Sequence, residues 1–204
     1  MKNLGTIDRI MRVFLAELCI LAAFFWRTGE WQILLYLVAV VLLVQAATGV
    51  CGLYNLLRWN TCEMVKRKNK NLTAIVLVLA VIIAVLGGYG SAVLTRNMLI
   101  QDLQSFQEPY SQTMSGLEKG EKPEALASWE MMNSSFSAFE RKYSNYRPVA
   151  VRFDGQFSGD LQNITYHLRG SKEEISQGNL SQAQRDLLQV EAIIEDMKAR
   201  NGLN

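Results

Sequence analysis

The feature that most constrains this chain is an uncharged, apolar run of 23 residues at positions 72–94. As a helix, such a run is about 34 Å long at roughly 1.5 Å per residue, which exceeds a hydrocarbon thickness of about 30 Å. Inside lipid, backbone amides must be paired within their own segment, so a helix is the structure that fits. The run therefore predicts a transmembrane helix.

Two further apolar runs precede it, at residues 10–26 and 31–57. Arg12 and Glu17 interrupt the first run, which makes it the weakest of the three, whereas the second carries no charge and few strongly polar side chains, Gln45 among them. The second run follows the first almost directly, so we expect no cleaved signal peptide. The first 95 residues are thus predicted to hold three transmembrane helices.

Basic residues predict how these helices are oriented. The net charge of +2 divides into +5 over residues 1–95 and −3 over residues 96–204. Apart from Arg27, the positive residues among 1–95 lie at or before the start of the first run or between the second and third, where Lys66, Arg67, Lys68 and Lys70 cluster. Because cytoplasmic loops are enriched in Lys and Arg, the N-terminus and this loop are predicted to be cytoplasmic, and residues 96–204 extracytoplasmic. The cluster could also bind anionic lipid, although a topology signal is the simpler interpretation.

Two short motifs bracket the first two runs. The chain opens with Asn3, Gly5, Asp8-Arg9 and Arg12, and the second run ends in Thr48-Gly49-Val50-Cys51-Gly52-Leu53-Tyr54, followed by Asn60-Thr61-Cys62. Residues 1–63 resemble the YgaP-like inner-membrane transmembrane domain, a small bacterial family, in which a Pro is common at the position of Gly52. The resemblance implies a two-helix hairpin with both ends in the cytoplasm. Some members are fused to a rhodanese domain, which implies sulfur or thiocyanate handling.

Three groups of residues in this part are candidates for a functional role. Cys51 and Cys62 are candidate thiols, because a thiolate is the reactive form and the basic residues Arg58 and Lys66 lie nearby; the alternative is that Cys51 is a small packing residue. Glu17 is an intramembrane acid, a rare and often functional residue, although pairing or snorkelling also explains it. Small residues late in the third run predict helix packing within the protein or to a second copy. They are Ala84, Gly87 and Gly88.

Residues 96–204 have the periodicity of amphipathic helices. Apolar residues recur at steps of three and four within residues 99–117, 126–146, 157–175 and 180–197. Pro109 predicts a kink or break, an irregular segment is expected after Arg147-Pro148, and Asn179 with Gln182 resembles a capping box. The predicted fold is all-α, with three transmembrane helices followed by an antiparallel bundle of about four helices. The predicted domains are a hairpin (1–63), a basic loop (64–71), a third helix (72–95) and the bundle (96–204).

No residue pattern predicts an enzyme. The single histidine, His167, rules out a pair of histidine ligands, and we expect no metal and no cofactor. The acidic balance of residues 96–204 argues against nucleic-acid binding. The first hypothesis is therefore a non-catalytic accessory or scaffold protein that presents a helical bundle to partners, within a homo-oligomer or a larger membrane complex. The alternatives are sulfur, thiocyanate or small-anion handling through Cys51 and Cys62, and a ligand-sensing bundle.

Overall fold

The computed structural model describes residues 3–57 and 70–203, with side chains from residue 74 onward in the second range. These residues form helices and no strand, which confirms the all-α prediction. The chain divides into two compact units, Met1–Val93 and Leu94–Asn204, called here the N-terminal and C-terminal units. Each is described separately.

The N-terminal unit contains α1 (Thr6–Phe25), α2 (Glu30–Thr48), α3 (Gly52–Leu56) and most of α4 (Lys70–Gln104). Gly29, with φ 68°, allows the tight turn between α1 and α2 because glycine tolerates positive φ. α1 packs against α2 through Ala16, Ala39 and Leu42. The two alanines are small enough to let the helices approach closely.

The apolar run at residues 31–57 is not one helix, contrary to the prediction. α2 ends at Thr48 because Gly49 adopts a left-handed conformation with φ 72°, a common helix stop. Cys51 is extended, and the single turn α3 follows it. The sequence pattern missed this break because apolar residues continue on both sides of it.

Apolar side chains of α2 and α4 lie on the outside of the N-terminal unit. Among the described residues, two helical stretches are long and apolar enough to cross a membrane, one at Glu30–Thr48 and one within Ala74–Lys119, with 11% and 0% of their most apolar windows buried. A core helix of a soluble protein would instead be buried. α1 does not qualify, because it carries Asp8, Arg9, Arg12 and Glu17. The third predicted span therefore stays a prediction.

α1 and α4 run in the same direction within this unit. Ile10 and Val13 share a groove with Leu77 and Ala80 near the start of both helices. Further along, the Trp26 Nε1 donates a hydrogen bond to the Ser91 Oγ at 3.4 Å. α2, whose residues Ala46 and Ala47 line the same groove from their end of the helix, runs the opposite way.

The C-terminal unit contains the last turns of α4 and α5 (Gln107–Lys119), α6 (Lys122–Asn145), α7 (Val149–Arg152), α8 (Phe157–Gln177) and α9 (Leu180–Asn201). α5 packs on α6, α6 on α8, α8 on α9, and α9 on α5. These four helices thus form a closed ring around one core.

That core consists of the apolar stripes that the periodicity identified. Fully buried apolar side chains come from α6, α8 and α9 of the ring and from the end of α4, because residues three or four positions apart share one helix face. They include Leu99, Met132, Tyr143, Phe157, Ile164, Leu168, Ile175, Leu187, Val190 and Met197. Phe153, by contrast, is 86% exposed only four residues before Phe157.

The break predicted near Pro109 occurs slightly earlier, at Ser105 and Phe106, and Pro109 itself lies in the first turn of α5, where its missing amide hydrogen does little harm. Two other local predictions in this unit need correction. The segment after Pro148 contains the short helix α7. Asn179 makes no side-chain cap hydrogen bond to α9, because its amide donates to Glu174 instead, at 2.8 Å.

Charged residues tie the ends of the C-terminal unit together. Arg200 pairs with Asp154 at 3.2 Å and also with Asp160 and Asp196. Burial alone would raise the pKa of Asp154, but hydrogen bonds from Asn201, from the Gln156 amide and from Arg200 hold it below its usual value. Leu203 is buried, and Arg96 donates to the carbonyl of Gly202. The last described turn therefore lies beside the first residues of the unit.

Candidate functional site

The clearest constellation of polar groups surrounds Cys51, where the chain leaves α2. The amides of Asn3 and Leu4 both donate to the carbonyl of Gly49 at 3.1 Å. The Asn3 side chain accepts from the Cys51 amide at 2.8 Å and donates to the Cys51 carbonyl at 2.9 Å. A single buried asparagine thus bonds to both backbone groups of Cys51, whose carbonyl also accepts from the Asn55 amide at 3.0 Å.

Arg12 completes what we call the Cys51 site, formed by Asn3, Arg12, Gln45, Cys51 and Tyr54. Its guanidinium donates to the Gln45 Oε1 and lies 3.5 Å from the Cys51 Sγ. The same group lies over the Tyr54 ring, 5.4 Å from its centroid. Both terminal nitrogens of Arg12 therefore face protein groups, which helps an arginine to fit in an apolar helix.

Arg9 performs a different task one turn earlier. It donates from Nε to the carbonyl of Ala46 at 2.5 Å and from Nη2 to the carbonyl of Ala47 at 2.9 Å. These are among the last carbonyls of α2, which have no partner within the helix, and a cation is favourable at that end. Arg9 therefore caps α2 from α1.

The Cys51 site offers limited chemistry in this conformation. Its thiol faces a guanidinium, a group that can also hold a small anion through charge-assisted hydrogen bonds. Yet Cys51 is only 2% exposed, so a reactant reaches the sulfur only if the site opens. Cys62, its predicted companion, lies outside the described residues, and so do Lys66, Arg67 and Lys68. Lys70 is the first residue of α4.

Glu17 stands apart from this site. Both of its carboxylate oxygens are buried and have no hydrogen-bond partner among the described residues. Arg12, five residues earlier, is bonded to Gln45 and Cys51 and does not pair with it. Glu17, which the sequence predicts to lie within the membrane, thus has no partner in the part of the chain that the structure describes.

Of the three small residues of α4 that the sequence singled out, Gly87 is the one with a close neighbour among the described atoms. A Cβ on Gly87 would lie 2.8 Å from the Leu21 Cδ1 of α1, whereas one on Gly88 would meet nothing within 4 Å. Ala84 is exposed. Gly87 therefore allows close approach of α1, while Ala84 and Gly88 remain candidates for contact with another chain.

The C-terminal unit has a groove of about 330 Å³ between α6 and α8, called here the α6–α8 groove. Its floor includes Trp129, whose indole nitrogen donates to the Ser171 Oγ at 2.9 Å. Lys172 lies over the Trp129 ring, 4.9 Å from its centroid. Charged and polar side chains of both signs line the rest, and they are Asn133, Ser137, Glu140, Thr165, Arg169 and Glu173. Such a groove can receive a polar segment that itself carries both charges.

The single histidine has an ordinary partner. The His167 Nδ1 lies 3.3 Å from the Asp186 Oδ1, on the surface between α8 and α9. Among the described residues, no group of three or more His, Cys, Asp or Glu side chains could hold a metal ion.

Sequence reasoning missed the two residues that define the Cys51 site. The sequence marks Arg12 only as an interruption of the first run and part of the opening motif, and Asn3 only as part of that motif. The available signal was Gln45, a polar side chain that in an apolar helix needs a partner. The periodicity could not identify that partner, because it lies on another helix.

These features agree with a comparison against known protein families. Residues 1–65 match the family described as inner membrane protein YgaP-like, transmembrane domain. This confirms the resemblance found in the sequence and indicates a membrane protein. The Cys51 site lies entirely within the matched residues. No curated protein and no solved structure is detectably similar to the chain.

Proposed function

We propose that this protein is a non-catalytic accessory protein of the bacterial inner membrane, which presents its C-terminal unit to a partner on the extracytoplasmic side. The observation that carries the proposal is the opposite placement of apolar side chains in the two units. Those of α2 and α4 face outward, whereas those of the C-terminal ring face inward. An outward apolar surface of this extent fits lipid, and a closed core fits water.

Three helices cross the membrane in this proposal. α1 is 20 residues long and runs parallel to α4 and opposite to α2, which fits an up-down-up arrangement. Its two arginines are bonded to α2 and Cys51, so their burial costs less than the sequence alone implies. The basic residues at 66–70 favour a cytoplasmic loop before α4.

The α6–α8 groove is the proposed docking site for the partner. Arg169 and Glu173 both belong to α8, and neither forms an ion pair with another described residue. The partner segment would present an acidic and a basic group to them, as complementary charges do across protein interfaces. Homo-oligomers are an alternative source of that segment.

Site-specific photocrosslinking in native membranes tests this function. A photoreactive residue at Asn133, in the groove, is expected to give a defined adduct that Arg169→Glu weakens at least about tenfold. The matched control is Gln189, an exposed position of α9 outside the groove. Equal adducts from both positions, or an adduct indifferent to Arg169→Glu, would contradict the groove as docking site. Labelling of Gln189→Cys by a membrane-impermeant maleimide tests separately whether the C-terminal unit is extracytoplasmic.

A second candidate function has one specific observation in its favour, the guanidinium of Arg12 at 3.5 Å from the Cys51 sulfur. That pairing fits sulfur, thiocyanate or small-anion handling at the Cys51 site, with Cys62 as a second thiol. Three helices of one chain cannot enclose a pathway, so transport would require a homo-oligomer. Replacing Cys51 and Cys62 with serine and measuring sulfane-sulfur or thiocyanate turnover tests it, and unchanged turnover would remove the idea.

A further inference from the structure

Phe153 is the most exposed large apolar side chain among the described residues of the C-terminal unit, with 86% of its surface accessible. The exposure does not come from a loose segment. Val151, two residues earlier, is fully buried, and the Asp154 Oδ1 accepts from the backbone amide two residues later at 2.9 Å. A single exposed apolar residue is common on proteins, so the place of Phe153 in the fold decides what its exposure means.

On its N-terminal side, Phe153 is connected to α4 by two short links. The Arg152 guanidinium donates to the carbonyl of Arg147, from Nη2 at 3.2 Å and from Nε at 3.3 Å. Tyr146, the residue before Arg147, forms a side-chain hydrogen bond with Thr95 of α4, which is buried. The segment that carries Phe153 therefore starts beside Thr95.

On its C-terminal side, Phe153 is connected to the next residue of α4. Asp154 accepts a hydrogen bond at 2.7 Å from the side chain of Asn201, the last residue of α9. Gly202 follows directly, and its carbonyl accepts from the Arg96 guanidinium. Both sequence neighbours of Phe153 thus lead to the same turn of α4. Phe153 therefore lies at the end of the C-terminal unit where α4 enters it.

That end of the unit begins where the apolar run of α4 stops. Thr95 directly follows the uncharged residues 72–94, and α4 extends without a break across this point. Within the N-terminal unit, Trp26, a residue type that favours the headgroup level, donates to the Ser91 Oγ at 3.4 Å. Thr95 lies roughly 6 Å further along the helix than Ser91. A headgroup layer is roughly 5–8 Å thick, so Thr95 is expected within or at the edge of that layer.

We propose that Phe153 inserts into the lipid headgroup layer at this end of α4 and so anchors the base of the C-terminal unit to the membrane surface. The proposal rests on α4 crossing the membrane, as in the proposed function. An aromatic ring gains free energy when it leaves water for the boundary between headgroups and acyl chains. Because α4 already holds this turn at the membrane, the ring reaches lipid without a separate association step.

Spin-label accessibility in lipid vesicles that contain the purified full-length protein tests the insertion. The label is attached at Gly155→Cys, in a background in which the native cysteines are serine. A Cβ at Gly155 meets no atom within 4 Å, so the fold accommodates the label. The ratio of collisions with oxygen to collisions with a water-soluble nickel chelate should be at least about threefold higher than at Tyr166→Cys, because oxygen concentrates in lipid.

Tyr166 is the matched control because it is also an exposed aromatic residue of the C-terminal unit, at 74%. It lies roughly 14 Å along α8 from the first residue of that helix, away from the segment that contains Phe153. Phe153→Asp should lower the ratio at Gly155→Cys at least about twofold, whereas Tyr166→Asp should leave it unchanged. Phe153→Ser replaces the aspartate variant if that variant does not fold.

A second label, at Val81→Cys within the apolar run of α4, separates two kinds of failure. Lipid-like access at Val81 with water-like access at Gly155 overturns the insertion of Phe153 and leaves the ring for a protein partner. A high ratio at Gly155 that Phe153→Asp does not lower also overturns it, because the ring is then not the cause. Water-like access at Val81 overturns the membrane-spanning α4, and this proposal with it. Crosslinking from Asn133 is measured independently of all three results.

Discussion

The two units of this protein bury opposite kinds of groups. In the N-terminal unit, long apolar side chains such as Leu77, Val81 and Leu86 are exposed, while Asn3 and Arg12 are directed inward. In the C-terminal unit, the apolar stripes are inside and charged residues such as Arg200 lie at the surface. The N-terminal unit therefore has polar groups inside and apolar side chains outside, and the C-terminal unit has the reverse. This difference is expected if the first is surrounded by lipid and the second by water.

Polar groups also serve different purposes in the two units. Inside the N-terminal unit they complete backbone hydrogen bonds, as when Arg9 caps the carbonyls of Ala46 and Ala47. At the surface of the C-terminal unit they form side-chain networks, as with Asp102, Lys142 and Tyr143. Lipid offers no substitute for a missing partner, whereas water does.

The largest expected effect tests the inward apolar face of the C-terminal unit. Phe157→Ala should lower its free energy of unfolding by about 3–5 kcal/mol, because the side chain is 0% exposed and leaves a cavity. Hydrogen exchange of α8 and α9 peptides in the full-length protein measures this. Phe153→Ala, four residues earlier and exposed, should change it by less than about 0.5 kcal/mol. Equal effects at the two positions would break the comparison.

The next effect tests the outward apolar face of the N-terminal unit. Val81→Lys should raise the apparent free energy of inserting α4 by about 2.5–3.5 kcal/mol, because the lysine would face lipid near the helix centre. An insertion assay on glycosylation-tagged chains in microsomes measures it. Leu188→Lys, at an exposed position of α9, should leave insertion unchanged. Normal insertion of Val81→Lys would show that α4 does not span the bilayer.

A smaller effect is expected at the Cys51 site. Asn3→Ala removes both side-chain hydrogen bonds to the Cys51 backbone, a loss of about 1–3 kcal/mol. The thiol should then react with maleimide roughly ten times faster or more, in a background where Cys19 and Cys62 are serine. Asn55→Ala, on the exposed side of α3, is the control. An unchanged rate would show that Asn3 does not keep the site closed.

The smallest effect concerns pH. Because hydrogen bonds and Arg200 hold the pKa of Asp154 below its usual 3.8, its stabilising contribution is present above that value and is lost as pH falls through the lower folded value. The difference in Tm between wild type and Asp154→Asn should therefore narrow as pH falls from about 6 to about 3. Asp196→Asn, at a more exposed partner of Arg200, is the comparison. A constant difference would rule out this linkage.

Features that depend on neighbouring residues could be predicted from the sequence, whereas contacts between residues far apart in sequence could not. The apolar face of α8 within residues 157–175 is a local signal, and it was predicted correctly. The Cys51 site joins residues 48 positions apart, and no pattern along one helix encodes that pairing. Gly49 ends α2 by a local signal, but the apolar residues that follow it obscured the break.

The contact between Arg96 and Gly202 has a mechanical consequence. The first and last turns of the C-terminal unit are neighbours, so the unit joins the preceding part of α4 at the same end where the buried Leu203 lies. A pull applied at residue 203 would act first on the contact between Gly202 and Arg96. A probe fused there would therefore report on that end of the unit.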